Sequence, residues 1–297
     1  MASLTKNERS KFGIVALFLA PSLLLYTTLI IYPIFYSAFL SLTDWPGVEP
    51  KDWVGHRNFE FLFQDSDFLT SFGNSLRVTL LSIFFQVPVG LTIAFLLFRT
   101  KSAIYKAYRG IYFLPVVITS TAIATMFRLI MNNDIGVFSS ILEVIGMGRF
   151  IRPWLADTSV VLYTVIFVQI WQFIGTYVII FLAAFQSIDP EIFESAVIDG
   201  TNSLQQFLLI ACPLVSDVLK FSVVLCFTGS MKSFDISYVM TAGGPGYASS
   251  YLGNYLFNST FGGTGSRFGR GSAVAMVIIV VSAVFTVIFK KLSREKD

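Results

Sequence analysis

The side chains in this sequence that could do chemistry fall into two groups, and neither forms a catalytic set. The first lies in the stretch 186–213, QSIDPEIFESAVIDGTNSLQQFLLIACP, where Asp189, Glu191, Glu194 and Asp199 occur without a single lysine or arginine. Carboxylates on such a surface suit docking to a complementary groove rather than proton transfer. The second group consists of polar side chains inside apolar runs: Gln169, Trp171, Gln172 and Tyr177 in one, Asp217, Lys220, Lys232 and Asp235 in another. Polar groups at membrane depth are costly, and they either bond neighbouring helices or line a wet pathway. The rings of Trp171 and Tyr177 beside the amides of Gln169 and Gln172 suit sugar rings and hydroxyls, and they suit helix–helix bonding equally well. Asp217 with Lys220, and Lys232 with Asp235, are spaced i, i+3, so each pair could neutralise itself on one helix face. Asp217 and Lys220 fit a structural role. Lys232 and Asp235 lie deeper and are candidates for a substrate pathway.

Other chemistry is excluded by what the sequence lacks. It holds no G-x-x-x-x-G-K-[ST] phosphate loop, and GSMKS (residues 229–233) has neither its spacing nor its second glycine, so ATP hydrolysis is not expected on this chain. No paired Cys/His ligands and no nucleophile–base constellation occur, which leaves an enzyme, a metal site or a bound cofactor without support. Cys212 and Cys226 read as inert buried thiols. The lone histidine, His56, reads as a surface residue in a polar loop.

The elements that must position these groups are membrane helices. The chain has 297 residues, of which 55% are hydrophobic and 13% charged, and its mean hydropathy is +0.71. A soluble domain carries about 25% charged residues. Six apolar runs of membrane length follow at about 12–42, 75–98, 111–131, 160–185, 214–240 and 272–289. The first is too long for a signal-peptide core and contains Pro21 and Pro33, which predict kinks. Short basic tails, 1–11 and 290–297, flank a membrane domain over 12–289. Orientation follows from lysine and arginine. The proposed inner segments hold eleven (Lys6, Arg9, Lys11, Arg99, Lys101, Lys106, Arg109, Lys290, Lys291, Arg294 and Lys296), and the outer loops hold six (Lys51, Arg57, Arg149, Arg152, Arg267 and Arg270). Both termini and the 186–213 stretch are therefore expected inside, and nucleic acid is not an expected partner. In the outer segment, Tyr247, Tyr251, Leu252, Tyr255 and Leu256 predict a helical stripe of the interfacial aromatic belt.

Within 186–213 the local signals predict a rigid elbow. Asp189 before Pro190 suits an N-cap with proline at the first helical position, and Gly200 suits a left-handed helix end. Thr201 and Ser203 are candidate caps for a second helix from about Leu204, and Pro213 would begin the next span. Ile192, Phe193, Ala196 and Val197 share one face, and Glu191, Glu194 and Ser195 another.

This stretch resembles the EAA loop of ATP-binding-cassette importer permeases: Glu194, Ser195 and Ala196, three residues, Gly200, nine residues, then Ile210, Ala211, Cys212 and Pro213, with Ser195 and Cys212 in place of alanine and leucine. Three further phrases resemble the carbohydrate branch of that family, which includes the maltose-transporter type. They are VGHRNF (residues 54–59), FDISYVMTAGGP (residues 234–245) and FGRGSAVAM (residues 268–276). The resemblance implies an all-α integral membrane protein with six transmembrane helices, the type I ABC importer transmembrane-domain fold with a cytoplasmic coupling helix. It implies that Glu191, Glu194, Ser195, Ala196, Asp199 and Gly200 dock an ATPase. The implied partners are two ATP-binding-cassette subunits, which would carry ATP and Mg, a second six-helix permease and an extracytoplasmic sugar-binding protein, all in or at a bacterial plasma membrane. A di- or oligosaccharide is the implied solute. Other solute classes, and an ion-coupled secondary transporter using Asp217 and Asp235, remain alternatives.

Overall fold

The computed structural model describes residues 6–47, 52–100, 103–133, 136–262 and 267–294. Lys51, Lys101 and Lys296 of the orientation count lie outside the described residues. The first apolar run forms one rod: α1 (Lys6–Tyr26), a π-helical turn (Thr27–Ile31) and α2 (Tyr32–Leu40). A small hairpin follows, β1 (Thr43–Asp44) antiparallel to β2 (Asp52–Trp53) with Thr43 opposite Trp53. Then come α3 (Arg57–Gln64), α4 (Ser66–Arg99), α5 (Ala103–Val117), α6 (Ser120–Ile130), α7 (Val137–Val144) and α8 (Val161–Gln186). The elbow holds α9 (Pro190–Ile198) and α10 (Ser203–Gln205). A second π-helical turn (Gln206–Ala211) leads to α11 (Cys212–Leu214), α12 (Ser216–Met231), α13 (Asp235–Thr241), α14 (Leu252–Phe261) and α15 (Phe268–Arg294).

Among the described residues, four helices are long and apolar enough to cross a bilayer: Leu17–Leu40, Ser66–Arg99, Val161–Gln186 and Phe268–Ser293. Two further stretches qualify only as bent pairs, Gly110–Val117 with Ser120–Ile130 at 99° and Ser203–Leu214 with Ser216–Thr241 at 75°. The straight third span expected over 111–131 is thus broken at 118–119, where the Thr119 hydroxyl accepts the Ala122 N–H at 3.4 Å and starts a new helix. The fifth span is broken at 232–234, so Lys232 caps α12 while Asp235 opens α13. That corrects the expected i, i+3 pair: no ion pair joins Lys232 to Asp235 among the described residues. Asp217 and Lys220 do pair, at 3.3 Å.

Prolines explain the two π-helical turns. Each ends two residues before a proline, Ile31 before Pro33 and Ala211 before Pro213. Proline brings no N–H and its ring crowds the preceding turn, and a widened turn relieves both. The chain therefore bends at Val215 rather than beginning a clean span at Pro213. Pro21 lies inside α1, which continues through it.

Helix α4 starts nine residues before the expected 75. The Asp65 carboxylate caps it by accepting the Asp67 N–H at 2.8 Å. Its first turns carry Ser71, Asn74 and Ser75, and these are buried because they hold the loop before α14. Ser71 bonds Ser250 at 2.9 Å, the Leu252 N–H donates to Ser75 at 2.8 Å, and the Asn74 amide donates to the carbonyls of Tyr247, Ala248 and Ser250. The same loop corrects the expected aromatic stripe. Tyr247 has φ +63° and lies before the helix, while Tyr251 and Leu252 are fully buried.

The core runs along α4 and α8. Glycine permits close approach to α8 at one point from α4 and at another from α5. A Cβ at Gly90 would lie 2.6 Å from Cβ of Tyr177, and one at Gly175 would lie 2.0 Å from the Tyr112 carbonyl oxygen on α5. At one end of the bundle sit the hairpin, the start of α4, α14 and the start of α15; at the other sit the end of α4 and the elbow. The side chains of residues 17–36 are exposed all round the rod.

Candidate functional site: an exposed elbow and an intramembrane cavity

The elbow is closed by its own hydrogen bonds. Asp189 caps α9 by accepting the Glu191 N–H at 3.0 Å, with Pro190 next in line. Gly200 takes φ +80°, and the Gly200 and Thr201 N–H groups donate to the carbonyls of Val197 and Ala196, both at 3.0 Å. This is the paired closure of a Schellman motif, for which glycine is the favoured residue. The second cap differs from the expected Thr201 or Ser203. Asn202 and Gln205 form a reciprocal capping box, 2.9 Å from the Gln205 N–H to Asn202 Oδ1 and 2.8 Å from the Asn202 N–H to Gln205 Oε1. The Thr201 hydroxyl instead donates to the Ala196 carbonyl at 2.5 Å.

The faces of the elbow separate as follows. Glu191, Glu194, Ser195, Asp199 and Gly200 are exposed, whereas Ala196 is buried and Phe193 packs on Phe98 at 5.4 Å between centroids. Ala196 therefore seats the elbow on the bundle and presents no methyl to a partner. Two exposed apolar side chains take its place beside the acids, Val197 and Ile198, the latter 85% exposed. Helical periodicity grouped Val197 with the inward face and gave no signal for Ile198.

The second feature is an open-sided cavity of about 510 Å³ where α4, α6, α8, α12 and α13 meet. That lies within the roughly 300–1,000 Å³ of small-molecule sites. Of the six sequence candidates it brings together four, Gln169, Tyr177, Lys232 and Asp235. The Gln169 side-chain oxygen accepts from the Ser233 hydroxyl at 2.9 Å, and its backbone carbonyl accepts from the Gln86 amide at 3.3 Å. Lys232 and Asp235 are exposed towards the cavity because the helix breaks between them. The other two candidates lie elsewhere. Trp171 packs edge-on against Phe127 at 5.2 Å. Gln172 is buried and donates to the Ile118 carbonyl at 3.3 Å and the Ser120 hydroxyl at 3.2 Å, so it holds the break between α5 and α6.

Gln86, Ser120, Thr176 and Ser233 also line the cavity and were missed. Gln86 carried the signal that identified Gln169, an amide inside an apolar run; the three hydroxyl residues carried none. Hydroxyls, amides, one ammonium and one carboxylate share the wall with the rings of Phe173, Tyr177 and Phe234 and with aliphatic Leu225 and Ile236. No group of three potential metal ligands occurs among the described residues.

Comparison with known proteins places this geometry in a family. The family model described as "Binding-protein-dependent transport system inner membrane component" matches residues 86–296, which span both the cavity and the elbow. The probable ABC transporter permease protein YurN of Bacillus subtilis is 34% identical, covering 93% of this chain and 94% of its own. The multiple sugar-binding transport system permease protein MsmF of Streptococcus mutans is 28% identical, with 94% of each covered. In fold, the chain matches one in the crystal structure of a bacterial alginate ABC transporter in complex with an alginate pentasaccharide-bound periplasmic protein, with a TM-score of 0.84 over 96% of both at 21% identity. The chain belongs to the binding-protein-dependent transport system inner membrane components, and it is a membrane-embedded permease subunit of an ABC importer.

Proposed function

We propose that this subunit moves a di- or oligosaccharide through the cavity by alternating access, driven by ATPase subunits docked on the elbow. The cavity carries the reading: it gathers polar side chains within an apolar bundle, and it lies beside the breaks at 118–119 and 232–234. Gln169, Tyr177, Lys232 and Asp235 line the pathway, with Gln86 and Ser233 beside them. Each bent pair counts as one span, which gives six, with both termini and the elbow cytoplasmic and the membrane domain over 12–289. The rod 17–36 is apolar and its described side chains are exposed, as those of a helix facing lipid and a second six-helix permease would be. The α9–Gly200–α10 unit is the coupling helix, its exposed Glu191, Glu194, Ser195, Asp199 and Gly200 meeting an ATP-binding-cassette subunit that holds ATP and Mg. A sugar-binding protein delivers solute at the opposite end. MsmF, by name a sugar permease, supports the carbohydrate assignment, and the alginate transporter complex supports delivery by a binding protein.

Reconstitution of this chain with its ATPase, second permease and binding protein in ATP-loaded liposomes tests the reading. Uptake of a labelled oligosaccharide should depend on ATP and on the binding protein. Gln169→Leu should raise the KM for transport by about tenfold, as loss of one buried polar contact to the solute would, while Glu194→Ala should lower ATPase recovery and leave the fold intact. Gradient-driven uptake without ATP would sink the proposal, and competition by amino acids but not by sugars would sink its carbohydrate part.

A further inference from the structure

The elbow's own caps account for its shape, yet it also carries a buried polar group that those caps do not use. Gln206, the first residue of the second π-helical turn, is 1% exposed. Its amide nitrogen donates to the Thr201 hydroxyl at 3.0 Å and the Thr201 carbonyl at 3.3 Å. Its amide oxygen accepts from Arg99 Nη1 at 2.7 Å. Arg99 ends α4, so this bond runs from the inner end of one membrane helix into the elbow. It is the one hydrogen bond between α4 and residues 187–213 among the described residues.

We propose that Arg99 and Gln206 are positioning residues that carry movement of the elbow into α4, a proposal that rests on the reading of the elbow as the ATPase-docking surface. The covalent chain joins the elbow only to α8 and, through the bend at Val215, to α12. Helix α4 lines the cavity at Gln86 and has no chain connection to the elbow. Three contacts supply one: Phe98 against Phe193 at 5.4 Å, Phe95 against Phe207 at 5.0 Å, and Arg99 with Gln206. The two ring contacts are tilted, at 59° and 44° between planes, and such apolar contacts are non-directional and slip at little cost. A hydrogen bond from a guanidinium to a buried amide is directional and short, and it holds register. The relay continues into the helix that faces the partner, since Thr201 bonds the Ala196 carbonyl in α9. A widened turn at Gln206 fits such a role, because π-turns inside helices concentrate at functional positions.

The test uses the assembled importer in liposomes and reads three quantities: ATPase subunits retained, ATPase rate with and without loaded binding protein, and solute moved per ATP. Arg99→Gln and Gln206→Leu should retain the ATPase and turn over ATP, while solute moved per ATP falls about tenfold, the scale of losing one charge-assisted hydrogen bond from the coupling. Gln206→Glu keeps the acceptor for Arg99 but loses the donor to Thr201, so it should recover the yield only in part. Arg99 is exposed, so Arg99→Gln folds even where a change at buried Gln206 does not. Unchanged yield per ATP in Arg99→Gln would overturn the proposal. Detachment of the ATPase from that variant would overturn it too, because the bond would then shape the docking surface rather than transmit its movement. Failure of the underlying reading looks different: Val197→Asp and Glu194→Ala on the exposed face would leave ATPase attachment at the wild-type level.

Discussion

The two ends of the bundle are built on opposite rules. Where the start of α15 packs on β1 and α14, two of its glycines leave no room for a Cβ. A Cβ at Gly269 would lie 1.9 Å from the Thr43 carbonyl oxygen, and one at Gly271 would lie 1.9 Å from the Thr260 hydroxyl. Between these glycines Arg270 lies 3.6 Å from the Phe61 ring centroid, so FGRG is a packing motif before it is anything else. Buried polar groups complete the seal. Asn58 donates to the carbonyls of Ser41 and Thr43 at 2.8 and 2.9 Å, and Tyr255 donates to Asp65 at 2.6 Å. Burial, and then the Asp65 carboxylate, hold the Tyr255 phenol well above its ordinary pKa. At the elbow end the chain closes on itself, leaves acids and apolar side chains exposed, and touches α4 through few contacts. One end is locked to the bundle at many points, and the other is a preformed knob held at fewer, which fits the docking role proposed for it.

The sharpest way to break this contrast is to make one substitution at both ends. Gly269→Ala drives a methyl into a carbonyl that α15 cannot leave without unseating the β1 turn, and overpacking of that kind costs about 3 kcal/mol or more. The expected outcome is a collapse of the monodisperse peak in detergent size-exclusion chromatography and a loss of membrane yield. A well-folded Gly269→Ala protein would mean that this end yields, and the contrast would fail.

Asn74→Leu should come next. It removes the donor to three carbonyls of the 247–250 segment and the acceptor at 2.8 Å for Arg77. Stranding buried groups in this way costs about 2–3 kcal/mol. A lowered apparent melting temperature, with faster proteolysis within residues 242–251, is the expected result. Unchanged proteolysis there would show that the loop is held by packing alone.

The same contrast explains what was legible in the sequence. The elbow was legible because its determinants are local: Asp189, Pro190 and Gly200 fix φ, ψ and caps within a few residues of one another. Even there Asn202 outcompeted Thr201 and Ser203: Gln205 completes its reciprocal box, whereas Gln206, three positions after Ser203, is bound to Thr201 and Arg99. The spans were legible from apolar length, and α8 lies within a residue of its expected bounds. Breaks at 118–119 and 232–234 were not, because they are set by distant partners. Gln172 bonds the carbonyl freed at Ile118, and Ser233, in the gap that parts Lys232 from Asp235, bonds Gln169 some sixty residues away. Trp171 and Tyr177 looked alike in sequence, and the helix turned one to the cavity and the other to Phe127. Tyr251 looked like an interfacial aromatic because hydropathy cannot see a loop folded back into the core.

The smallest effect belongs to Gly200, and it separates the two kinds of glycine. A Cβ there would meet nothing within 4 Å, so substitution costs backbone conformation only. At φ +80° alanine loses about 1 kcal/mol, and asparagine, which visits the left-handed region more readily, loses less. Gly200→Ala should therefore lower the apparent melting temperature slightly and weaken ATPase retention through a loosened elbow, with Gly200→Asn between it and the wild type. If both variants fell as far as Gly269→Ala, the elbow would be sealed into the bundle as tightly as the opposite end, and a surface so fixed could not be moved by a docked partner without moving everything.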